Sequence, residues 1–154
     1  MGVEETNATQ GMDAARESAW AVEGDADVVA VDTTWGELQR LEAATGVRTV
    51  GELELAELVG DGAVVVDCRT VGSFRGRTIP HSIHIPHDEI VERLGELDPG
   101  QLSILFCNGP QCPQSPQAIR QLVEAGYPAQ ALAYYRGGMH DWVTMSMPTH
   151  PRED

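Results

Sequence analysis

Two apolar runs without a polar break frame this chain: "GAVVVDCR" at residues 62–69 and "QLSILFC" at 101–107. Short unbroken runs of this kind predict strands buried on both faces, as in a parallel sheet. Around them the spacing of apolar positions changes to that of helices. "SPQAIRQLVEAGY" predicts a helix with Ser115 as N-cap, Pro116 at the first helical position and Gly126 past its end. Its apolar side would carry Ala118, Ile119, Leu122 and Val123.

"RTVGELELAELVGDG" predicts a short strand and then a helix burying Leu53, Leu55, Ala56, Leu58 and Val59. "SIHIPHDEIVERLGEL" predicts a strand and a helix from His87, with Asp88 and Glu89 where the helix dipole favours acids. "AQALAYYRGGMHDW" predicts a further strand turning into a last helix. Upstream, "DVVAVDTTWGELQRLEAATG" predicts an extended run and a helix capped by Thr34, with Leu38 and Leu41 inward and Gly46 as its stop. Strands alternating with helices define an α/β class: a mainly parallel central sheet with helices on both faces.

Charge divides the chain unevenly. Residues 1–27 hold seven acids, one base and few large apolar side chains, which predicts a mobile tail. A single domain is expected over 28–150, with a short tail at 151–154. The net charge of -14 argues against nucleic acid or an anionic membrane as partner, because both select basic surfaces. "MGVEET" fits the loose myristoylation pattern, but Glu4 and Glu5 would repel an anionic leaflet. Three cysteines are too few, and odd in number, for a secreted disulfide scaffold. With no apolar leader visible, the sequence reads as cytoplasmic.

The chemistry concentrates in "FCNGPQCPQSPQAI" at residues 106–119. Ligands of open α/β sheets bind beyond the carboxyl ends of the strands, and Cys107 stands at such an end. The loop after it feeds a helix N-terminus, so loop amides and the helix dipole would both favour a thiolate and hold an anion beside it. Asn108, Gly109, Gln111, Gln114 and Ser115 line that loop. The competing reading is a small apolar cysteine closing a buried strand. Cys112 could resolve a modified Cys107 as a disulfide, could itself be the nucleophile, or could be an incidental thiol. Cys68 reads as packing. His81, His84 and His87 are spaced too regularly along an extended, proline-flanked segment to gather round a metal, so neither metal nor other cofactor is expected.

From about residue 47 to 148 the chain resembles the rhodanese family of single-domain sulfurtransferases. The resemblance rests on "VVVDCRTVGSFRGRTIPHSIHIP", on "ILFCNG…SPQAIRQLVEAGY" and on "YYRGGMHDW". It implies that Cys107 carries sulfane sulfur as a persulfide between a small donor and a thiol acceptor, small molecule or protein. It further implies that Asp67 and Arg69 brace the loop, that Ser115 closes it, and that Gly137, Gly138 and Trp142 are structural. Two departures stand out. The loop is about two residues longer than is usual in the family, and it has no Arg or Lys. A divalent donor would need Arg75, Arg77 or Arg136 as its cation, so a persulfidated or organic donor fits at least as well as thiosulfate. A non-catalytic binding module and a Cys107/Cys112 thiol–disulfide function are the alternatives. A phosphatase or arsenate reductase would need an arginine at the loop's end, where position 114 is Gln.

Overall fold

A computed structural model describes residues 38–70 and 76–151, together with the backbone of 20–22 and 25–30. Nine short strands are seen among these residues. β1 (Trp20–Val22) and β2 (Asp25–Ala30) form an antiparallel pair. The rest of the expected acidic tail, the Thr34 cap and residues 152–154 lie outside the described residues.

The central sheet contains β3 (Arg48–Val50), β4 (Val64–Asp67), β6 (Ile83–His84), β7 (Ser103–Phe106) and β8 (Leu132–Tyr135). Its order is β3-β8-β7-β4-β6, and every pairing is parallel. The two apolar runs are therefore the neighbours β4 and β7, with Asp67 opposite Phe106 in register. A separate two-stranded sheet joins β5 (Arg77–Thr78) to β9 (His150–Pro151).

Alternation along the strands divides the core in two. Val66, Cys68, Leu105, Leu132 and Tyr134 face one layer, closed by Ala118, Ile119 and Leu122 of α2 (Gln114–Glu124). Val65, Ile104, Phe106, Ala133 and Tyr135 face the other, closed by Leu55 of α1 (Glu52–Gly60) and by Met139 and Trp142 of α3 (Gly138–Thr144). Both faces are thus covered, as the parallel pairing requires. Tyr135 and Trp142 meet edge to face at 6.1 Å, and the Trp142 indole donates to the Pro148 carbonyl. Cys68 is fully buried as packing, and burial pushes its thiol well up.

Four local expectations differ from the structure. α1 buries Leu55 and half-buries Leu58 and Val59, but Leu53 is 76% exposed and Ala56 is exposed, so its apolar stripe is narrow. The helix expected from His87 is a run of turns ending in a 3-10 turn at Leu94–Glu96. A segment that short takes its geometry from tertiary contacts, here the burial of Ile90 and Leu97. Ser115 is not an N-cap: α2 starts two residues earlier than expected, at Gln114 behind Pro113, and Gln117 N–H donates to the Pro113 carbonyl. Gly126 does end that helix, at φ +97°.

The fourth difference lies nearest the site. Residues 38–46 are not helical. Gln39 N–H donates to the Pro110 carbonyl at 2.9 Å, while the Arg136 guanidinium donates twice to the Gln39 carbonyl, at 2.9 and 2.7 Å. Ala43 and Val47 are buried beneath α2. These contacts use the backbone groups a helix would need and lay the segment across the cysteine loop as a strap.

Burial predicts unequal responses on the two helices. Leu122→Ala, at a fully buried site, should lower unfolding free energy by about 2–5 kcal/mol. Leu53→Ala should stay within about 0.5 kcal/mol. Urea denaturation of both variants checks the difference; equal losses would contradict the exposure of Leu53.

Candidate active site

Cys107 follows the last residue of β7, and the loop from it rises over the N-terminus of α2. The loop is fastened from three directions. Met139 N–H donates to the Cys107 carbonyl at 3.0 Å and His140 N–H to the Asn108 carbonyl at 2.8 Å, so the start of α3 grips its first residues. Cys112 N–H donates to the Gly109 carbonyl at 3.0 Å, folding the loop on itself. The strap holds Pro110.

The grip by α3 depends on Gly138. Its φ is +61°, and a Cβ there would stand 2.4 Å from the Cys107 carbonyl oxygen and 2.7 Å from the Gly109 nitrogen. Contacts that short are with backbone and cannot be relieved by rotating a side chain. A Cβ at Gly109 would meet the His140 Cβ less severely, at 3.2 Å; the His140 ring is exposed at the rim and its Nδ1 lies 3.0 Å from Asp141 Oδ1.

Two free thiols share the loop, in unlike surroundings. Cys107 is 2% exposed, whereas Cys112 is half-buried. The Cys107 thiol donates to the Cys112 carbonyl oxygen at 3.3 Å and also reaches the Cys112 sulfur. Ser115 Oγ donates to the Cys107 sulfur at 3.3 Å, which is the role its side chain takes in place of capping. The Cys112 thiol is lowered to about 6, chiefly by the hydrogen bond from Cys107. Partial burial opposes this, while the Gln114 and Asn108 amides and the Arg69 charge add to it. The Cys107 thiol is pushed up by burial first, then by its bond to Cys112 and that sulfur's charge. The surroundings thus favour the thiolate form on the partly exposed Cys112 and the thiol form on the buried Cys107.

Asp67 and Arg69 form a bidentate pair, Nε–Oδ1 at 3.0 Å and Nη2–Oδ2 at 2.7 Å, with both residues buried. Arg69 also donates to the Arg77 carbonyl at 2.7 Å, and Thr78 donates to Asp67 Oδ2 at 2.9 Å. Thr78 and Gln39 are the contributors that sequence reasoning missed, since neither lies in a motif at a spacing that ties it to the loop. Asn108, Gly109, Gln111, Gln114 and Ser115 all lie in the loop or the first turn of α2. Arg136 holds the strap, Arg77 donates to Thr149, and Arg75 lies outside the described residues.

Two buried polar atoms near the pair have no partner among the described residues: Gln114 Oε1 and the Tyr134 hydroxyl. Burial pushes the Tyr134 phenol up, and Cys107, Arg136, Cys112 and Arg120 all act on it. The three histidines of "HSIHIPH" are not gathered. His81 and His87 are at least partly exposed, while the His84 ring lies 2.6 Å from the Arg69 carbonyl. Among the described residues no group of three or more His, Cys, Asp or Glu is arranged to hold a metal. None of the described helices is long and apolar enough to cross a membrane.

A parallel α/β sheet bearing a cysteine loop at the carboxyl end of its central strand defines the class. The chain belongs to the rhodanese-like domain family, which matches it over residues 52–145, more than half its length. Among solved structures it is similar to a thiosulfate sulfurtransferase from Pseudomonas aeruginosa, with a TM-score of 0.59 and 26% identity. That match covers 73% of this chain and 22% of the other. The BH2092 protein from Bacillus halodurans shares the fold at a TM-score of 0.59 and 21% identity, covering 68% and 77% of the two chains. The HTH-type transcriptional regulator Rv0324 of Mycobacterium tuberculosis is 31% identical over 84 residues, or 54% of this chain. The aligned part spans only 36% of that regulator's length.

Two measurements probe the site. Iodoacetamide labelling of Cys112 should be half-maximal near pH 6 and about tenfold slower at pH 5 than at pH 7, because only the thiolate reacts. In urea the midpoint should move to about 8.5. A folded midpoint at the unfolded value would mean that the loop does not hold a thiolate. Gly138→Ala should destabilise the fold by about 1–3 kcal/mol and raise the labelling midpoint, because the α3 grip on Cys107 and Asn108 is lost.

Proposed function

We propose that the chain is a sulfurtransferase whose 107–115 loop takes sulfane sulfur onto Cys112 as a persulfide and passes it to a thiol acceptor. Membership of the rhodanese-like domain family and similarity to a thiosulfate sulfurtransferase support the class. The observation that carries the choice of sulfur is access: Cys112 is partly exposed while Cys107 is 2% exposed, and hydrogen bonds from Cys107 and from the Asn108 and Gln114 amides lower the Cys112 thiol. A donor reaches this sulfur before it reaches Cys107, and the thiolate is the form that attacks a sulfane sulfur.

Electrostatics support a singly charged donor. The guanidinium groups of Arg69, Arg77 and Arg136 are engaged by Asp67, Thr149 and Gln39, so the anion would rest on loop amides. Amides suit a persulfide donor better than doubly charged thiosulfate. The regulator-named relative favours one further reading, in which the same loop senses sulfur or oxidants for a partner without turnover.

The test exposes reduced protein to glutathione persulfide, thiosulfate or 3-mercaptopyruvate, and maps the added sulfur by peptide mass. Cyanide-dependent thiocyanate release is followed alongside. Sulfur is expected on Cys112, with thiocyanate release falling about 100-fold or more in Cys112→Ser. Sulfur found on Cys107 in that variant would make the strand-end thiol the carrier. Reactive thiols that acquire no sulfur from any donor would favour the sensing module.

A further inference from the structure

Cys107 is the one nucleophile of the site that the transfer of sulfur does not use. It is 2% exposed, so a bulky acceptor cannot approach it from solvent. Its sulfur nevertheless lies 3.3 Å from the Cys112 carbonyl oxygen, accepts a hydrogen bond from Ser115 Oγ at 3.3 Å and interacts with the Cys112 side chain across the loop. Both thiols are free, and the Cys112 N–H bond to the Gly109 carbonyl turns the loop back on itself. A persulfide has two electrophilic sulfurs. An acceptor from solvent meets the outer one, whereas a thiol placed behind the loop faces the inner one.

We propose that Cys107 attacks the inner sulfur of the Cys112 persulfide, closing a Cys107–Cys112 disulfide and releasing the outer sulfur as hydrosulfide. This rests on the sulfurtransferase reading above and adds a second activity to it: reduction of sulfane sulfur to sulfide. The step balances within the domain. The bond between Cys112 Sγ and the outer sulfur breaks, and the bond between Cys107 Sγ and Cys112 Sγ forms. The electron pair of the broken bond leaves with hydrosulfide, which takes up the Cys107 proton as the solution pH dictates. Two cysteine thiol equivalents are oxidised and one sulfane sulfur is reduced, so no external oxidant is required. The resulting disulfide is returned to the dithiol by a low-molecular-weight thiol or a protein dithiol, which sets the turnover.

Partition between the two outcomes follows from access. Acceptors at high concentration capture the outer sulfur first. When acceptor is scarce, the buried thiol reacts at its own intramolecular rate and the site closes as a disulfide. Ser115 and the strap then act as positioning elements, because they set where the Cys107 sulfur lies and how far Pro110 holds the loop from it.

The test loads reduced full-length protein with glutathione persulfide, removes donor and free thiol by rapid desalting, and follows intact mass and free sulfide together. Wild type should first gain about 32 Da on Cys112. It should then fall to about 2 Da below the dithiol mass as one sulfide per chain appears, with the new disulfide mapped to Cys107 and Cys112. Cys107→Ser and Cys107→Ala should hold the added sulfur and release sulfide about tenfold or more slowly. The wild-type time course decides the matter even where a variant folds poorly. A Cys112 persulfide that persists in wild type, or a disulfide through Cys68, overturns this proposal and leaves the sulfurtransferase reading standing. No added sulfur on either cysteine overturns both.

Discussion

The Asp67–Arg69 pair links β4 to β5, β6 and β7 at the carboxyl end of the sheet. Arg69 neutralises Asp67 at the end of β4, donates to the Arg77 carbonyl in β5, and offers its own carbonyl to the His84 ring in β6. Its guanidinium lies 5.9 Å over the Phe106 ring, the last residue of β7 before the cysteine loop. Removing either partner would leave an uncompensated buried charge, which costs about 3–5 kcal/mol in comparable settings. The same guanidinium charge favours the thiolate of Cys112. One buried cation thus both organises the sheet end and contributes to the chemistry above it.

The loop has no Arg or Lys of its own to favour a thiolate. It uses amides, a hydroxyl and a second thiol. The Asn108 and Gln114 N–H groups serve Cys112, and Ser115 serves Cys107. Two close thiols cannot both ionise easily, and their surroundings favour the charge on Cys112, the more accessible of the two.

Fastening is as specific as the chemistry. Gly138 lets α3 approach the loop backbone within a distance that any side chain would forbid. The strap is tied down by Arg136 and itself ties Pro110. The loop is therefore held by elements distant in sequence, while the Cys107 sulfur is held from within it by Ser115 and the Cys112 carbonyl. Membership of the rhodanese-like domain family accounts for the sheet.

Local composition was enough to locate β4 and β7, because unbroken apolar runs have few stable alternatives to burial in a parallel sheet. It was also enough to place α2, whose apolar spacing and terminal Gly126 act within a few residues. The position of Cys107 at a strand end followed directly. Local rules failed where groups distant in sequence compete for the same backbone. Residues 38–46 carry a helical pattern, yet Pro110 and Arg136 take the Gln39 amide and carbonyl, and the helix is absent there. Ser115 has the residue type of a cap, but a sulfur eight positions earlier takes its hydroxyl. Leu53 has the polarity of a core residue, but nothing packs over it. The difference between the two cysteines was likewise decided only in three dimensions. Thiol ionisation depends on burial and on which groups converge, and those groups come from both ends of the loop and from Arg69 just past the end of β4.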